Sequence, residues 1–268
     1  MNEETQETIS LIRRQLFQQV PVAQFRFSTD GPEVVDEDKA KYRVVLDPEV
    51  QTSLYQTVIL QTDQLPPSYV SKILKSLASL TEKFGEELDG SILEIMIDLM
   101  MRPSKPLGEP GPVTYFFKTG NDSEESIVLN EARSIISGFG TTGNRTWEAA
   151  LALGEFLYNQ VGYSDTIDIN GKTILELGAG SGFVSLLCGK LAAKKVIATD
   201  GNEDIVLKMR RNIENNNLSD IVETAIYKWG NSSGTNIGHQ LERESRKADY
   251  SFDRKVDVIL GADIVCKT

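Results

Sequence analysis

The sequence predicts an α/β protein in which a mainly α-helical N-terminal region precedes a doubly wound parallel sheet. Apolar residues recur at helical spacing through about the first hundred residues. After about residue 170, short apolar runs alternate with amphipathic segments, and short loops separate them. A glycine-rich turn joins the first of these runs to the next helix, as in units where helices connect parallel strands.

The N-terminal region contains four segments with an apolar helical stripe. We predict these segments to be helices over residues 8–19, 53–60, 67–84 and 88–101. The segment 103–112 is rich in proline and glycine, which indicates a linker. We therefore place a domain boundary near residue 110, between a helical region over 1–110 and a second domain over 111–268.

The second domain begins with two predicted strands, over 113–118 and 126–129, and a predicted helix over 146–159. The alternating part consists of predicted strands over 173–177, 195–199, 222–227 and 256–260, with helices over 183–191 and 205–216. The polar segment 231–251 is expected to include a helix. Strands and helices that alternate over short loops predict parallel βαβ units.

The composition narrows the classes of function. The 268 residues include 40% hydrophobic residues and carry a formal net charge of −11, which disfavours binding to a nucleic-acid backbone. The two cysteines form no CxxC motif, and the one histidine, His239, cannot build a histidine-based metal site. No apolar run reaches the length of a membrane span, and the acidic N-terminus lacks the features of a secretory signal. We expect a cytoplasmic monomer with no metal, no nucleic-acid partner and no membrane attachment.

The turn after the strand over 173–177 carries the clearest chemical signal. Its sequence, ELGAGSG over 176–182, would let a ligand approach the backbone at the glycines. Phe183 stands where a dinucleotide fingerprint has its last glycine. The carboxylate of Glu176, two positions before Gly178, would repel a pyrophosphate but attract an ammonium group and a sulfonium cation. We therefore predict that Glu176 and this turn bind S-adenosylmethionine rather than NAD; the alternative is a structural turn without a ligand.

Two more acidic residues follow predicted strands. Asp200 lies 22 positions after Gly178, where Rossmann-type domains place an acid that accepts hydrogen bonds from ribose hydroxyls. Its alternative role is the N-cap of the next helix. Asp263 follows Gly261 and Ala262, whose small size would let cofactor and substrate approach each other. Asp263 could orient an attacking amine, or it could be a surface acid.

Both tryptophans lie where they could meet a nucleobase. Trp229 follows the strand over 222–227, and its indole face could stack on adenine. Trp147 follows the sequence GFGTTGNRT at the start of the helix that precedes the strand over 173–177. It could close the cofactor pocket. A packing role is the alternative for both residues.

Five motifs, in their order along the chain, resemble the seven-β-strand protein-lysine methyltransferases, family 16. The motifs are TGNRTWEAALALGEFL, ILELGAGSG, ATDGN, YKWG and GADIV. Within that family, the chain is most similar to the fungal group that methylates a lysine of translation elongation factor 2. The resemblance implies a Rossmann-like sheet, S-adenosylmethionine as cofactor, a protein substrate and a catalytic-rim acid at Asp263. The cofactor contacts that it implies are Trp147, Gly178, Ala179, Gly180, Asp200, Trp229 and Ala262.

The last residues depart from the family pattern. In the family a tyrosine follows the rim acid three places later, but Cys266 stands there in this sequence. The chain ends at Thr268 and the family fold has three further strands, so we expect a C-terminally truncated sheet. Three hypotheses stay open: a lysine methyltransferase acting on elongation factor 2, a methyltransferase for another substrate, and an inactive remnant that binds cofactor or a partner.

Overall fold

The structure is a computed structural model that describes residues 2–29, 38–103, 109–118, 123–132, 143–159, 167–228 and 255–264. It divides into two compact units, Met1–Ser126 and Ile127–Thr268. The domain boundary near residue 110 stays a prediction. Within the described ranges, no helix has the length and apolar character that crossing a membrane requires.

Helices dominate the first unit, as the apolar spacing predicts. The α-helices are α1 Glu3–Phe17, α2 Arg43–Leu46, α3 Pro48–Thr57, α4 Pro67–Lys83 and α5 Gly90–Met101, and short 3-10 helices lie at Val22–Gln24, Lys39–Tyr42 and Ile59–Gln64. Helix α3 begins earlier than predicted because the Asp47 side chain accepts hydrogen bonds from the first backbone N–H groups, and Pro48 stands at the first position. The sequence pattern did not predict α2, since a single turn is too short to show an apolar stripe.

The apolar stripes of these helices meet in a hydrophobic core. Its large and almost fully buried side chains include Leu16, Leu54, Ile73, Leu77 and Ile92. Burial of each such side chain is worth about 1.5–3 kcal/mol, so packing stabilises these helices more than their intrinsic propensity does.

Two strands follow, as predicted, and both are longer than their sequence patterns indicate. Strands β1 Gly111–Lys118 and β2 Glu124–Glu131 form a two-stranded sheet. Helix α1 packs on β1, where the rings of Phe17 and Phe116 meet edge to face with centroids 6.3 Å apart. Helix α6 Glu148–Asn159 follows β2 in the chain.

A four-stranded parallel sheet forms the centre of the second unit. Its strands are β3 Thr173–Leu177, β4 Lys195–Asp200, β5 Val222–Ile226 and β6 Val258–Gly261, and the connecting helices are α7 Phe183–Lys190 and α8 Glu203–Asn215. All neighbouring strands pair in parallel, in the order β5-β4-β3-β6. The predicted α/β class, with a helical region before a parallel sheet, is confirmed. The helix predicted within 231–251 lies outside the described residues.

The strand order reverses at β3. Strands β4 and β5 extend the sheet on one side of β3, while β6 lies on the other side with Gly261 paired to Leu177. Open α/β sheets bind ligands outside the carboxyl ends of the strands, at such a reversal. The carboxyl ends of β3, β4 and β6 therefore position the candidate site.

One face of α8 is hydrogen-bonded to β2. The buried residues of this face recur every three to four positions and are Ile205, Met209 and Asn212, followed by the C-cap residue Asn216. Oδ1 of Asn216 accepts a hydrogen bond from the Val128 N–H at 2.9 Å, and its Nδ2 donates to the Val128 carbonyl at 2.7 Å. Oδ1 of Asn212 accepts from the Asn130 N–H at 3.0 Å. These side chains satisfy backbone groups at an edge of β2 that would otherwise be open for pairing.

Candidate functional site

The turn between β3 and α7 follows a backbone path that favours glycine. Gly178, Gly180 and Gly182 have φ values of 65°, 54° and 88°, in the left-handed region. At Gly182 space is also limiting, because a Cβ atom there would lie 2.9 Å from Cγ of Met209. The turn therefore requires its glycines for backbone geometry, independently of any ligand.

Hydrogen bonds tie this turn to the carboxyl end of β4. The Ala179 N–H donates to the Thr199 carbonyl at 2.8 Å, and the Thr199 hydroxyl donates to the Glu176 carbonyl at 2.7 Å. The Gly180 N–H donates to Oδ2 of Asp200 at 3.2 Å. The glycine turn and the Asp200 carboxylate are therefore held together as one arrangement.

Asp200 lies half-buried at this edge of the sheet, and its Oδ1 accepts a hydrogen bond from the Asn202 N–H at 2.9 Å. The N-cap of α8 is Asn202, whose side chain accepts from the N–H groups of Asp204 and Ile205. The alternative interpretation of Asp200 as the helix N-cap is therefore wrong. Each carboxylate oxygen has two lone pairs, so Asp200 can accept hydrogen bonds beyond those from the backbone.

Glu176 lies inside the second unit. Its side chain is 2% exposed and accepts a hydrogen bond from the hydroxyl of Ser185 on α7. Burial disfavours the charged carboxylate and raises the pKa of Glu176 to about 7; hydrogen bonds from Ser185 oppose this effect, and the Asp200 carboxylate adds to it. A cation bound nearby would favour the ionised form of Glu176.

The segment 143–147, which precedes α6, lies across the glycine turn. A Cβ atom at Gly180 would lie 3.6 Å from Cα of Gly143. The hydroxyl oxygens of Thr146 and Ser181 are 2.7 Å apart. Trp147 is half-buried and directly follows Thr146, so it is the neighbour of a residue that contacts the turn.

The chain turns sharply after β6. Asp263 is exposed and has a φ of 54°, which is uncommon for a residue other than glycine. The next residue, Ile264, lies beside two glycines: a Cβ at Gly178 would be 3.0 Å from its Cγ2, and a Cβ at Gly261 would be 2.8 Å from its Cδ1. Gly261 thus makes room for the Ile264 side chain, whereas its place in the sequence suggested that its small size serves ligand approach. The packing of Ile264 holds Asp263 next to the turn.

The structure brings most of the predicted site residues to one edge of the sheet. The predicted residues at this edge or beside the turn are Trp147, Glu176, Gly178, Ala179, Gly180, Asp200, Ala262 and Asp263. Trp229 and Cys266 lie outside the described residues. Over the parts of the chain that the structure describes, no three His, Cys, Asp or Glu residues come together as metal ligands.

The side chains that connect these elements were not predictable from the sequence. Thr146, Ser181 and Ile264 each lie inside a motif, but their residue types gave no separate signal. Ser185 lies on α7 beyond the glycine turn, where the sequence shows only an apolar helix.

Comparison with known proteins finds several protein-lysine N-methyltransferases that are similar to this chain. Protein-lysine N-methyltransferase EFM3 of Chaetomium thermophilum is 36% identical over 235 residues, which cover 81% of this chain and 66% of that protein. Protein-lysine N-methyltransferase EFM3 of Saccharomyces cerevisiae is 35% identical over 126 residues, covering 41% of this chain and 36% of that protein. Protein-lysine N-methyltransferase EEF2KMT of Mus musculus is 31% identical over 154 residues, covering 57% of this chain and 42% of that protein.

The chain spans less than two thirds of the length of these curated relatives. A family model described as "Lysine methyltransferase" matches residues 134–268, which is half of the chain and includes every element of the candidate site after β2. The chain therefore belongs to the lysine methyltransferase family.

Proposed function

We propose that this chain acts as an S-adenosylmethionine-dependent protein-lysine N-methyltransferase in the cytoplasm. The glycine turn carries the proposal, because its backbone is hydrogen-bonded to the Asp200 carboxylate at the strand-order reversal of a parallel sheet. Membership of the lysine methyltransferase family supports the same activity.

The residues at the turn fit an adenosyl cofactor. The half-buried Asp200 carboxylate suits the two neighbouring hydroxyl groups of a ribose as a hydrogen-bond acceptor. Beside it, Gly178, Ala179 and Gly180 carry no side chain larger than a methyl group, so a ligand can approach the backbone closely. Further proposed contacts are Trp147, Trp229 and Ala262.

Glu176 is proposed to balance the positive charge of the cofactor. S-adenosylmethionine has an ammonium and a sulfonium centre, and a nearby cation lowers the pKa of a carboxyl group. Because the pKa of Glu176 is raised to about 7, the binding of a cation beside the turn can convert this buried acid to its charged form near neutral pH.

Asp263 is proposed as the catalytic acid–base residue. When bound, S-adenosylmethionine supplies a methyl group on a positively charged sulfur. The attacking lysine amine must be neutral. As its new N–C bond forms, the bond between the methyl group and sulfur breaks with its electron pair left on sulfur, and the amine then loses one proton. The exposed carboxylate of Asp263, next to the turn, can orient this amine by a hydrogen bond and accept the released proton, directly or through water.

The proposed substrate is a lysine of translation elongation factor 2. The five motifs resemble the group that methylates this factor, and proteins named EFM3 and EEF2KMT are among the matched relatives. These observations support a protein substrate and favour elongation factor 2 among proteins.

Incubation of the purified chain with methyl-labelled S-adenosylmethionine and elongation factor 2 tests the proposal. We expect label on a lysine of the factor, located by mass spectrometry, and cofactor binding measured in parallel by calorimetry. The variant D200N should weaken both signals. Cofactor binding without labelled lysine would show that the proposed activity is wrong, and the absence of binding would show that the proposed cofactor is wrong as well.

A further inference from the structure

We propose that Glu131 and Thr146 are positioning residues, which hold the segment 143–147 and its Trp147 against the glycine turn. This inference rests on the proposed function, since it concerns the same cofactor site. It assigns to the buried carboxylate of Glu131, which no step of the proposed chemistry uses, the role of setting the shape of that site.

A chain of side-chain hydrogen bonds runs from β2 to the turn. Glu131, the last residue of β2, is 2% exposed and accepts a hydrogen bond from the Thr146 hydroxyl. The hydroxyl oxygens of Thr146 and Ser181 are 2.7 Å apart. A hydroxyl group has one proton, and Thr146 gives its proton to Glu131, so Ser181 donates to Thr146. The acceptor oxygen of Glu131 therefore fixes the direction of both hydrogen bonds.

A second path joins the same two elements through α8. Nδ2 of Asn212 donates to the Ser181 carbonyl at 3.0 Å, and Oδ1 of Asn212 accepts from the Asn130 N–H at 3.0 Å. Because Asn130 and Glu131 are consecutive residues, the two paths together form a closed ring of hydrogen bonds that runs from β2 to Ser181 and back to β2. The ring restrains Ser181 through its side chain and its backbone together, and networks of this kind are strong when every member is satisfied.

Other contacts hold the segment on both sides of Thr146. The Ala132 N–H donates to the Asn144 carbonyl at 3.0 Å, and Nζ of Lys208 donates to Oδ1 of Asn144 at 2.6 Å. On the other side, the Trp147 carbonyl accepts a hydrogen bond from the Ala150 N–H at 3.0 Å, in the first turn of α6. The segment is thus fixed before and after the residue that reaches the turn.

The position of the ring distinguishes it from general core packing. Ser181 lies between Gly180 and Gly182, and the Gly180 N–H is the group that donates to the Asp200 carboxylate. A shift of Ser181 therefore moves the contact between the turn and Asp200, while Thr146 carries Trp147 with it. Loss of this ring of hydrogen bonds should therefore displace both the glycine turn and Trp147, which are proposed to line the cofactor site.

The test removes the Thr146 hydroxyl with little change of side-chain shape. We expect T146V to weaken the binding of S-adenosylhomocysteine, measured by calorimetry, by about tenfold or more, because Glu131 and Ser181 lose their shared partner. T146S keeps the hydroxyl and should bind within about twofold of the wild type. E131M, which removes the acceptor oxygens, should weaken binding as T146V does, whereas E131Q, which keeps one, should have a smaller effect.

The matched control is T62V. Thr62 is 5% exposed and Thr146 is 6% exposed, but the Thr62 hydroxyl donates to the Ile59 carbonyl within its own 3-10 helix. T62V should therefore leave the affinity for S-adenosylhomocysteine unchanged. If T146V does not fold, S181A removes the donor at the other end of the chain of hydrogen bonds and should also weaken binding.

A second measurement needs no cofactor. In a W229F background, Trp147 is the remaining tryptophan of the two in the chain. We expect T146V to increase the quenching of Trp147 fluorescence by acrylamide, and T146S to leave it unchanged. Wild-type affinity in folded T146V, or unchanged quenching, would overturn the inference. An increase in quenching with a wild-type chain that does not bind S-adenosylhomocysteine would instead refute the proposed function alone.

Discussion

Replacement of Glu176 by glutamine is expected to remove a pH dependence from the stability of the second unit. The carboxyl group is buried against Ser185, and its pKa in the folded chain is about 7, against an ordinary value of 4.5. Glutamine has a similar shape, accepts the hydrogen bond from Ser185 through its carbonyl oxygen, and does not titrate. The variant E176Q therefore changes the charge of one buried group and little else.

The sign and size of the effect follow from linkage. Between the ordinary pKa of 4.5 and the folded-state pKa of about 7, the folded chain holds a proton that the unfolded chain has released. The free energy of unfolding of the wild type therefore falls as the pH rises through this interval. A pKa difference of this size corresponds to about 3 kcal/mol of unfolding free energy. The wild type has lost this stabilisation by about pH 8, whereas E176Q, which does not titrate, has not.

The assay is urea unfolding at about pH 5 and about pH 8, two conditions that bracket most of the interval. Tryptophan fluorescence reports the second unit, because Trp147 and Trp229 both belong to Ile127–Thr268. The free energy of unfolding of E176Q, relative to the wild type, should rise by about 2–3 kcal/mol from the lower to the higher pH. The control E214Q, at an exposed position of α8, should follow the wild-type profile. Parallel profiles for E176Q and the wild type would refute the reasoning.

Three further predictions concern the same edge of the sheet. D200N should weaken binding of S-adenosylmethionine by about tenfold or more, since its amide group offers only one acceptor oxygen; an unchanged affinity in calorimetry would contradict the ribose role. D263N should lower kcat for lysine methylation by about a hundredfold with unchanged cofactor affinity, and wild-type turnover would exclude Asp263 as the acid–base residue. G182A should destabilise the second unit by about 2 kcal/mol in urea unfolding, because alanine is strained at positive φ and its Cβ would meet Met209; wild-type stability would show that the turn relaxes freely.

The order of elements in the second unit was predictable because each element has a strong local signal. Strand β3 has the predicted bounds, since an apolar run ends there at a glycine turn. Helix α7 ends one residue before its predicted end, at Lys190. In the first unit, α3 begins at a cap formed by Asp47, a residue that lies outside the apolar stripe used for the prediction.

The site was predictable only where spacing along the chain determines it. Asp200 follows from its distance to Gly178, and the structure places the two residues at the same edge of the sheet. The direction of Glu176 could not be predicted, because both faces of β3 are buried and alternation therefore gives no orientation. The role of Glu131 depends on Ser181, which is fifty residues away in the sequence. The sequence also gives no sign of whether the side chain of an acidic residue at the end of a strand is buried or exposed.

The face of α8 that is hydrogen-bonded to β2 also connects the other parts of the candidate site. Along this face Ile205 lies against Gly143, Met209 against Gly182, and Asn212 against Ser181, before Asn216 reaches β2. Helix α8 thus contacts the segment 143–147, the glycine turn and the strand. A displacement of α8 would alter the contacts of all three at once, so we expect substitutions on this face to affect the candidate site as a whole.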